Sequence, residues 1–254
     1  MPLDGRKGVA VVVGGSGGIG SAVCRELALR GVDVVLTYHQ HKDAAELVVA
    51  DVLDCGPQAQ AWQVDLLDAQ TVTEFFSNVV SQWEFIHTVI CAAGPEVSQP
   101  AISEVTSNQW KNTVLADLEG IYNLVSASIP HLRVSQGSLT VLSSAGVYRH
   151  PPGDVLSVAP KAAIEALVRG IAREEGRRGV RANAVAIGVI ETGQYFRLKA
   201  GPFDASWRKA ARDNTALKRF GKPEEVARVV AFLASDDAAY VTGQTIVMDG
   251  GYSL

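Results

Sequence analysis

Apolar and polar positions along the chain follow two periods that alternate from one end to the other. Short β-branched runs predict seven strands, at Val9–Val13, Val32–Leu36, Ala59–Val64, Thr88–Ala92, Ser138–Leu142, Arg181–Ala186 and Thr245–Met248. Between them the apolar positions recur at helical spacing, over Ile19–Arg30, Asp43–Cys55, Asp68–Gln82, Ser107–Leu132, Ser157–Gly176 and Pro223–Ser235. The last helix opens on Pro223-Glu224-Glu225, a proline suited to a first turn followed by carboxylates that suit the positive end of the helix dipole. Several strands are apolar on both faces, as parallel strands are when helices cover each side. Regular β-α alternation implies right-handed crossovers and one open sheet. The expected fold is α/β: a single-domain, doubly wound, parallel seven-stranded sheet over residues 1–254 with helices on both faces. Val189–Asn214, which mixes Gly, Pro, Tyr, Phe and Trp, is expected to be a substrate loop or lid.

Composition narrows the function classes. The 254 residues are 47 % hydrophobic and 20 % charged with a net charge of −4, which gives no basic excess for binding nucleic acid. No apolar run reaches the ~18 residues of a membrane helix. The opening MPLDGRKGVAVVV lacks the charged and apolar regions of a secretory signal, so a cytoplasmic location is expected. Cys24, Cys55 and Cys91 are odd in number and form no CxxC, so all three are expected to be buried free thiols. The five histidines are scattered without ligand spacing, so no metal site is expected.

The strongest local signal is the first strand running directly into Gly14-Gly15-Ser16-Gly17-Gly18-Ile19-Gly20 and then into an amphipathic helix. Glycines at such a junction let the backbone approach a pyrophosphate, which rests on the N–H groups of the helix start. A dinucleotide is the expected ligand.

The loop Gly14-x-x-x-Gly18-Ile19-Gly20 resembles that of the short-chain dehydrogenase/reductase family, and so does the downstream spacing over essentially the whole chain. Asp65-Leu66 resembles the family's adenine-contacting pair, and Cys91-Ala92-Ala93-Gly94 stands where the family usually has Asn-Asn-Ala-Gly. Asn183–Gly188 resembles the sixth strand leading to the nicotinamide amide, with Ile190 and Thr192 just beyond. Gly221-Lys222-Pro223-Glu224-Glu225 and Thr242-Gly243-Gln244 through Asp249-Gly250-Gly251 resemble its C-terminal signature. The resemblance implies a Rossmann-type fold, and a homo-oligomer, dimer or tetramer, built on the helices at Ser107–Leu132 and Ser157–Gly176.

An acid ending the second strand would bind the ribose hydroxyls of NAD, whereas basic residues accept the 2′-phosphate of NADP. Tyr38 occupies that position, with His39, His41 and Lys42 beyond it, so NADP(H) is expected over NAD(H). Gly17 departs from this, since many NADP-preferring relatives carry Arg or Lys there.

The family moves a proton at the substrate oxygen through a tyrosinate whose pKa a lysine and the cofactor's charge lower. The lysine also holds the ribose, a serine hydrogen-bonds the substrate oxygen, and an asparagine supports a relay water. Ser144 matches the serine and Lys161 the lysine. The tyrosine position, reached from either residue, is Ser157, and the asparagine position is Asp117. A phenol starts near pKa ~10 and an aliphatic alcohol lies well above it, so Ser157 cannot take over by pKa tuning alone. Ser157 is expected instead to cap a helix beginning there, with Pro160 at its third position. Tyr148 and His150 are candidate proton donors from another direction, though a loop aromatic and a solvated histidine explain them better. Tyr195 and Trp207 are expected to wall a pocket or pack the lid, and a buried Asp117 either pairs with Lys161 or is a protonated acid.

Three functions remain open on this reading. The first is a diverged NADP-dependent oxidoreductase acting on a small or medium carbonyl, imine or activated alkene. The second is a dinucleotide-binding sensor or inactive subunit without redox turnover. The third is a non-redox isomerase, lyase or cyclase on the same fold.

Overall fold

The computed structural model describes residues 6–193, 195–196 and 204–254. Seven strands, β1 (Val9–Val13), β2 (Val34–Tyr38), β3 (Ala59–Gln63), β4 (Ile86–Cys91), β5 (Ser138–Ser144), β6 (Arg181–Ile187) and β7 (Thr245–Met248), form one sheet in the order β3-β2-β1-β4-β5-β6-β7. Every neighbouring pair is parallel. The helices are α1 (Gly18–Ala28), α2 (Lys42–Asp54), α3 (Ala69–Trp83), α4 (Ser107–Val114), α5 (Gly120–Ser135), α6 (Val155–Glu175), α7 (Ala205–Asp213) and α8 (Pro223–Ala234). No helix among the described residues is long and apolar enough to cross a membrane.

The alternation of side chains along β1 shows why the sheet is covered twice. Val9, Val11 and Val13 enter one apolar layer with Phe75 and Phe76 of α3, Leu124 of α5 and Ile164 of α6. Ala10 and Val12 enter the opposite layer with Val23 and Leu27 of α1 and Val230 and Leu233 of α8. A strand apolar on both faces therefore sits at the centre, as a doubly wound sheet requires. The order reverses between β1 and β4, and beyond the carboxyl ends of those strands the crossovers part to leave a crevice.

Four expectations are corrected. The helix expected over Ser107–Leu132 is broken: a π-helical turn, Leu115–Glu119, separates α4 from α5. One wider turn shifts the apolar phase too little to register in a periodicity, and such turns favour functional sites. Ser157 is no cap, because α6 begins two residues earlier and the N–H groups of Ser157 and Val158 both bond to the Asp154 carbonyl. Pro160 is then buried well inside α6, where it gives the Leu156 carbonyl no helical donor. Cys24 and Cys91 are buried, but Cys55, at the carboxyl end of α2, is exposed. Part of Val189–Asn214 is helical: α7 starts where the Asp204 carboxylate accepts the Trp207 N–H at 2.7 Å. Its mixed composition hides the helical period. Gln194 and residues 197–203 of that stretch lie outside the described residues.

His87 in β4 carries a pH dependence. It is 3 % exposed, its Nδ1 lies 3.0 Å from Thr88 Oγ1, and burial, helped by the Arg6 charge, pushes its pKa down to about 4 from 6.5. Between those values the unfolded chain binds a proton that the folded chain refuses, so stability falls as pH falls through that window. The shift corresponds to roughly 3 kcal/mol, present above pH 6.5 and lost by about pH 4. Denaturant unfolding across that range should show a shallower pH slope for His87→Phe. An unchanged slope would show that His87 does not titrate with folding.

Candidate active site

A cleft of about 720 Å³ opens along the carboxyl edge of the sheet. Its floor is the turn from β1 into α1. Gly14 adopts φ +76°, a conformation that suits glycine, and a Cβ there would come within 2.8 Å of the Ala93 backbone. A side chain on Gly18 would run into Thr192, which closes the cleft from the other side. The Gly14 N–H donates to Thr37 Oγ1 at 3.2 Å, tying the turn to β2, and the Gly17 N–H donates to the Gly14 carbonyl at 3.0 Å. The first N–H groups of α1 are thereby presented at the cleft floor, the arrangement that binds anions.

Most of the expected dinucleotide residues line this space. Gly14, Ser16, Gly17, Gly18 and Ile19 form the floor, and Tyr38 and His39 stand at the end of β2. Asp65 and Leu66 follow β3, Ala92, Ala93 and Gly94 follow β4, and Gly188, Ile190 and Thr192 follow β6. Gly15 and Gly20 lie behind the turn; a Cβ on Gly15 would meet Leu36 at 2.5 Å, and one on Gly20 would strike the Gly14 carbonyl. His41 also lines the cleft, whereas Lys42 reaches back to Glu46 at 3.4 Å. His39 Nε2 lies 4.0 Å from Asp65 Oδ2, with both side chains more than half exposed. Tyr195 lines the cleft and is held by Phe220, and Trp207 packs on that same ring.

Deeper in, the π turn carries Asp117 into the cleft wall. Asp117 is 2 % exposed, and its Oδ1 accepts a bond from Lys161 Nζ at 3.0 Å, the lysine being only 13 % exposed. Of the two states left open for a buried Asp117, the structure therefore shows the one paired with Lys161. Its second oxygen, Oδ2, is buried with no partner among the described residues. Gly94 leaves the approach open: a Cβ there would lie 3.6 Å from Lys161 Nζ and 3.8 Å from Asp117 Oδ1. Ser157, half-buried, precedes Lys161 by one turn and so shares its face of α6.

The other expected residues are placed differently. Ser144 ends β5, and its hydroxyl accepts the Gly146 N–H at 3.1 Å. The Tyr148 hydroxyl donates to Glu165 Oε2 at 2.8 Å, and burial raises its pKa. Tyr148 is thus turned toward Glu165, and neither it nor Ser144, Ser157 or Lys161 is among the residues lining the cleft. His150 is exposed. Glu165, which sequence reasoning missed, is 3 % exposed and also accepts the Ser143 hydroxyl at 2.6 Å. The signal was its place one turn beyond Lys161, which continues a polar row Ser157, Lys161, Glu165 and Arg169 along α6. Among the described residues, no group of three His, Cys, Asp or Glu could hold a metal ion.

Comparison with known proteins agrees with this geometry. Residues 13–253 match the family model described as enoyl-(acyl carrier protein) reductase. The chain is 33 % identical over 243 residues to the 3-oxoacyl-(acyl-carrier-protein) reductase of Staphylococcus epidermidis, covering 95 % of this chain and 97 % of the relative. A short chain dehydrogenase from Burkholderia cenocepacia, solved in complex with NADP, superposes with a TM-score of 0.89 at 29 % identity, covering 98 % of this chain and 99 % of the other. A blue fluorescent protein from a metagenomic library, solved in complex with NADPH, gives a TM-score of 0.89 at 30 % identity over the whole of both chains.

Proposed function

This chain belongs to the short-chain dehydrogenase/reductase family of NAD(P)-dependent oxidoreductases, and we propose that it is a diverged NADP(H)-dependent member in which Ser157 stands in the place of the family tyrosine. The observation that carries this reading is the intact cleft combined with the ion pair in its wall. The glycine turn, the free N–H groups of α1 and the retained Lys161 fit a dinucleotide, while the helical turn before Lys161 offers only an aliphatic hydroxyl.

When bound, a nicotinamide dinucleotide gives or takes a hydride. In this reading the turn from Gly14 to Gly20 seats the pyrophosphate, with Asp65 and Leu66 beside the adenine. Tyr38, His39 and His41 surround the adenosine ribose without placing a carboxylate at the end of β2, which favours a 2′-phosphate. The NADP and NADPH complexes of the two structural neighbours support the same preference. Gly188, Ile190 and Thr192 hold the carboxamide end, Lys161 the second ribose, and Ser144 the substrate oxygen. The substrate class is a small or medium carbonyl, imine or activated alkene. The curated relative makes a 3-oxoacyl thioester the first to try.

The experiment follows nicotinamide absorbance with NADPH and a 3-oxoacyl thioester such as acetoacetyl-N-acetylcysteamine, for the natural chain and for Ser157→Tyr. Slow NADPH consumption by the natural chain is expected, rising at least ~100-fold in the variant, the low end of a general acid's usual contribution. Binding of NADPH without consumption by either form would favour a dinucleotide-binding protein that does not turn over.

A further inference from the structure

We propose that Glu165 is a positioning residue, which ties both ends of the segment carrying Ser144 to α6 and so fixes that serine relative to Lys161. This rests on the reading of the chain as a dinucleotide-dependent oxidoreductase.

Both oxygens of the Glu165 carboxylate are used, each by a different end of the same segment. Oε1 accepts the Ser143 hydroxyl at 2.6 Å, immediately before Ser144, and Oε2 accepts the Tyr148 hydroxyl at 2.8 Å, four residues after it. Between these anchors lies the short turn Ala145–Val147, whose Gly146 N–H donates to Ser144 Oγ at 3.1 Å. The turn rests on α6 itself: a Cβ on Gly146 would meet Val158 at 2.6 Å. Glu165 stands one turn beyond Lys161 on that helix, so a single side chain sets the strand that bears the serine against the helix that bears the lysine. The Thr245 hydroxyl, at the start of β7, also meets the Tyr148 hydroxyl and ties the segment to the neighbouring end of the sheet.

Packing alone does not account for a carboxylate here. Glu165 and Ser143 are each 3 % exposed, beside an apolar layer that contains Val141, Ile164 and Val168. Leucine would fill a similar volume without desolvating a charge, a cost that two neutral hydroxyls offset only in part. What leucine lacks is direction. Two short hydrogen bonds to an ionised acceptor leave little freedom to the groups they hold. A serine that must meet a substrate oxygen depends on that restraint, since a misplacement of ~1 Å can cost ~100-fold in rate. Glu165 does not line the cleft, so its influence reaches the substrate through Ser144 and not by contact.

The test follows NADPH oxidation by acetoacetyl-N-acetylcysteamine in the natural chain and in Ser157→Tyr. Rates are read as single turnovers with enzyme in excess, so that slow variants stay measurable. Glu165→Leu is expected to lower the rate at least ~10-fold, while NADPH affinity by calorimetry stays within about threefold. Glu165→Gln can still accept the Tyr148 hydroxyl and donate to Ser143, and it should keep the rate within about threefold. Tyr148→Phe, at a half-exposed position, removes one tether; it should lower the rate roughly threefold, and have no effect once Glu165 is leucine.

The decisive arm is Ser144→Ala. In that background Glu165→Leu should change the rate by less than about twofold, because the group it positions is gone. A residue that only supports the fold would lower the rate equally with and without Ser144. Equal loss in the two backgrounds, or a Glu165→Leu rate within about threefold of its parent, would overturn the proposal. If Glu165→Leu does not fold, unchanged rates in both Ser143→Ala and Tyr148→Phe would overturn it in the same way. Absence of NADPH oxidation by both the natural chain and Ser157→Tyr would overturn the oxidoreductase reading itself, which separates the two failures.

Discussion

Lys161→Met is expected to cost the protein about 3–5 kcal/mol of stability, the penalty for leaving a buried charge without its partner. The Asp117 carboxylate is 2 % exposed and meets Lys161 at 3.0 Å, and no second donor among the described residues reaches its other oxygen. At this chain length such a loss lowers the melting temperature by roughly 6–20 °C. Turnover should fall with it, since in the proposed function the same lysine holds the ribose of the cofactor. The double variant Asp117→Leu/Lys161→Met should recover most of the stability and none of the turnover, because removing both charges removes the desolvation problem along with the chemistry. Thermal unfolding of the three proteins checks this. A Lys161→Met protein melting within ~2 °C of the natural chain would mean that water reaches the carboxylate and the pair is not a buried unit.

Gly18→Val is expected to lower NADPH affinity at least ~100-fold, near 3 kcal/mol. A Cβ at this position has no room, since it would occupy the place of the Thr192 side chain across the cleft. The two branches of valine would then cover the N–H groups at the start of α1 that are to meet the pyrophosphate. Gly170→Ala is the control: a Cβ there meets nothing within 4 Å, and the residue lies on α6 away from the cleft lining. It should bind NADPH as the natural chain does. Gly18→Val binding NADPH within threefold of the natural chain would mean that the ligand does not rest on this turn.

How far these features could be read from sequence depends on whether their cause is local. β1 and the turn after it are legible because five β-branched or small apolar residues and a run of glycines carry the information within a dozen positions. The seven strands stand within about two residues of expectation for the same reason, end-fraying aside. The π turn at Leu115–Glu119 is hidden because a single widened turn leaves the apolar stripe almost in phase. The start of α6 is misplaced because Asp154 and Ser157 are both plausible caps, and only the structure shows which carbonyl the first N–H groups choose.

Side-chain pairings were less accessible. Asp117 and Lys161 are 44 residues apart, and their meeting depends on α5 and α6 packing on the same face of the sheet. Glu165 reads as a surface residue on statistical grounds, since glutamate is seldom fully buried without partners. Its partners, Ser143 and Tyr148, come from β5 and the loop beyond, and no local pattern announces them. The Tyr148 hydroxyl is committed to that carboxylate.

The most direct test of the central claim, that this cleft holds NADP(H), is calorimetric titration of NADPH and of NADH into the purified natural chain. NADPH is expected to bind at least ~10-fold more tightly than NADH, a difference of about 1.4 kcal/mol from recognition of the 2′-phosphate beside Tyr38, His39 and His41. Binding of neither would contradict the claim.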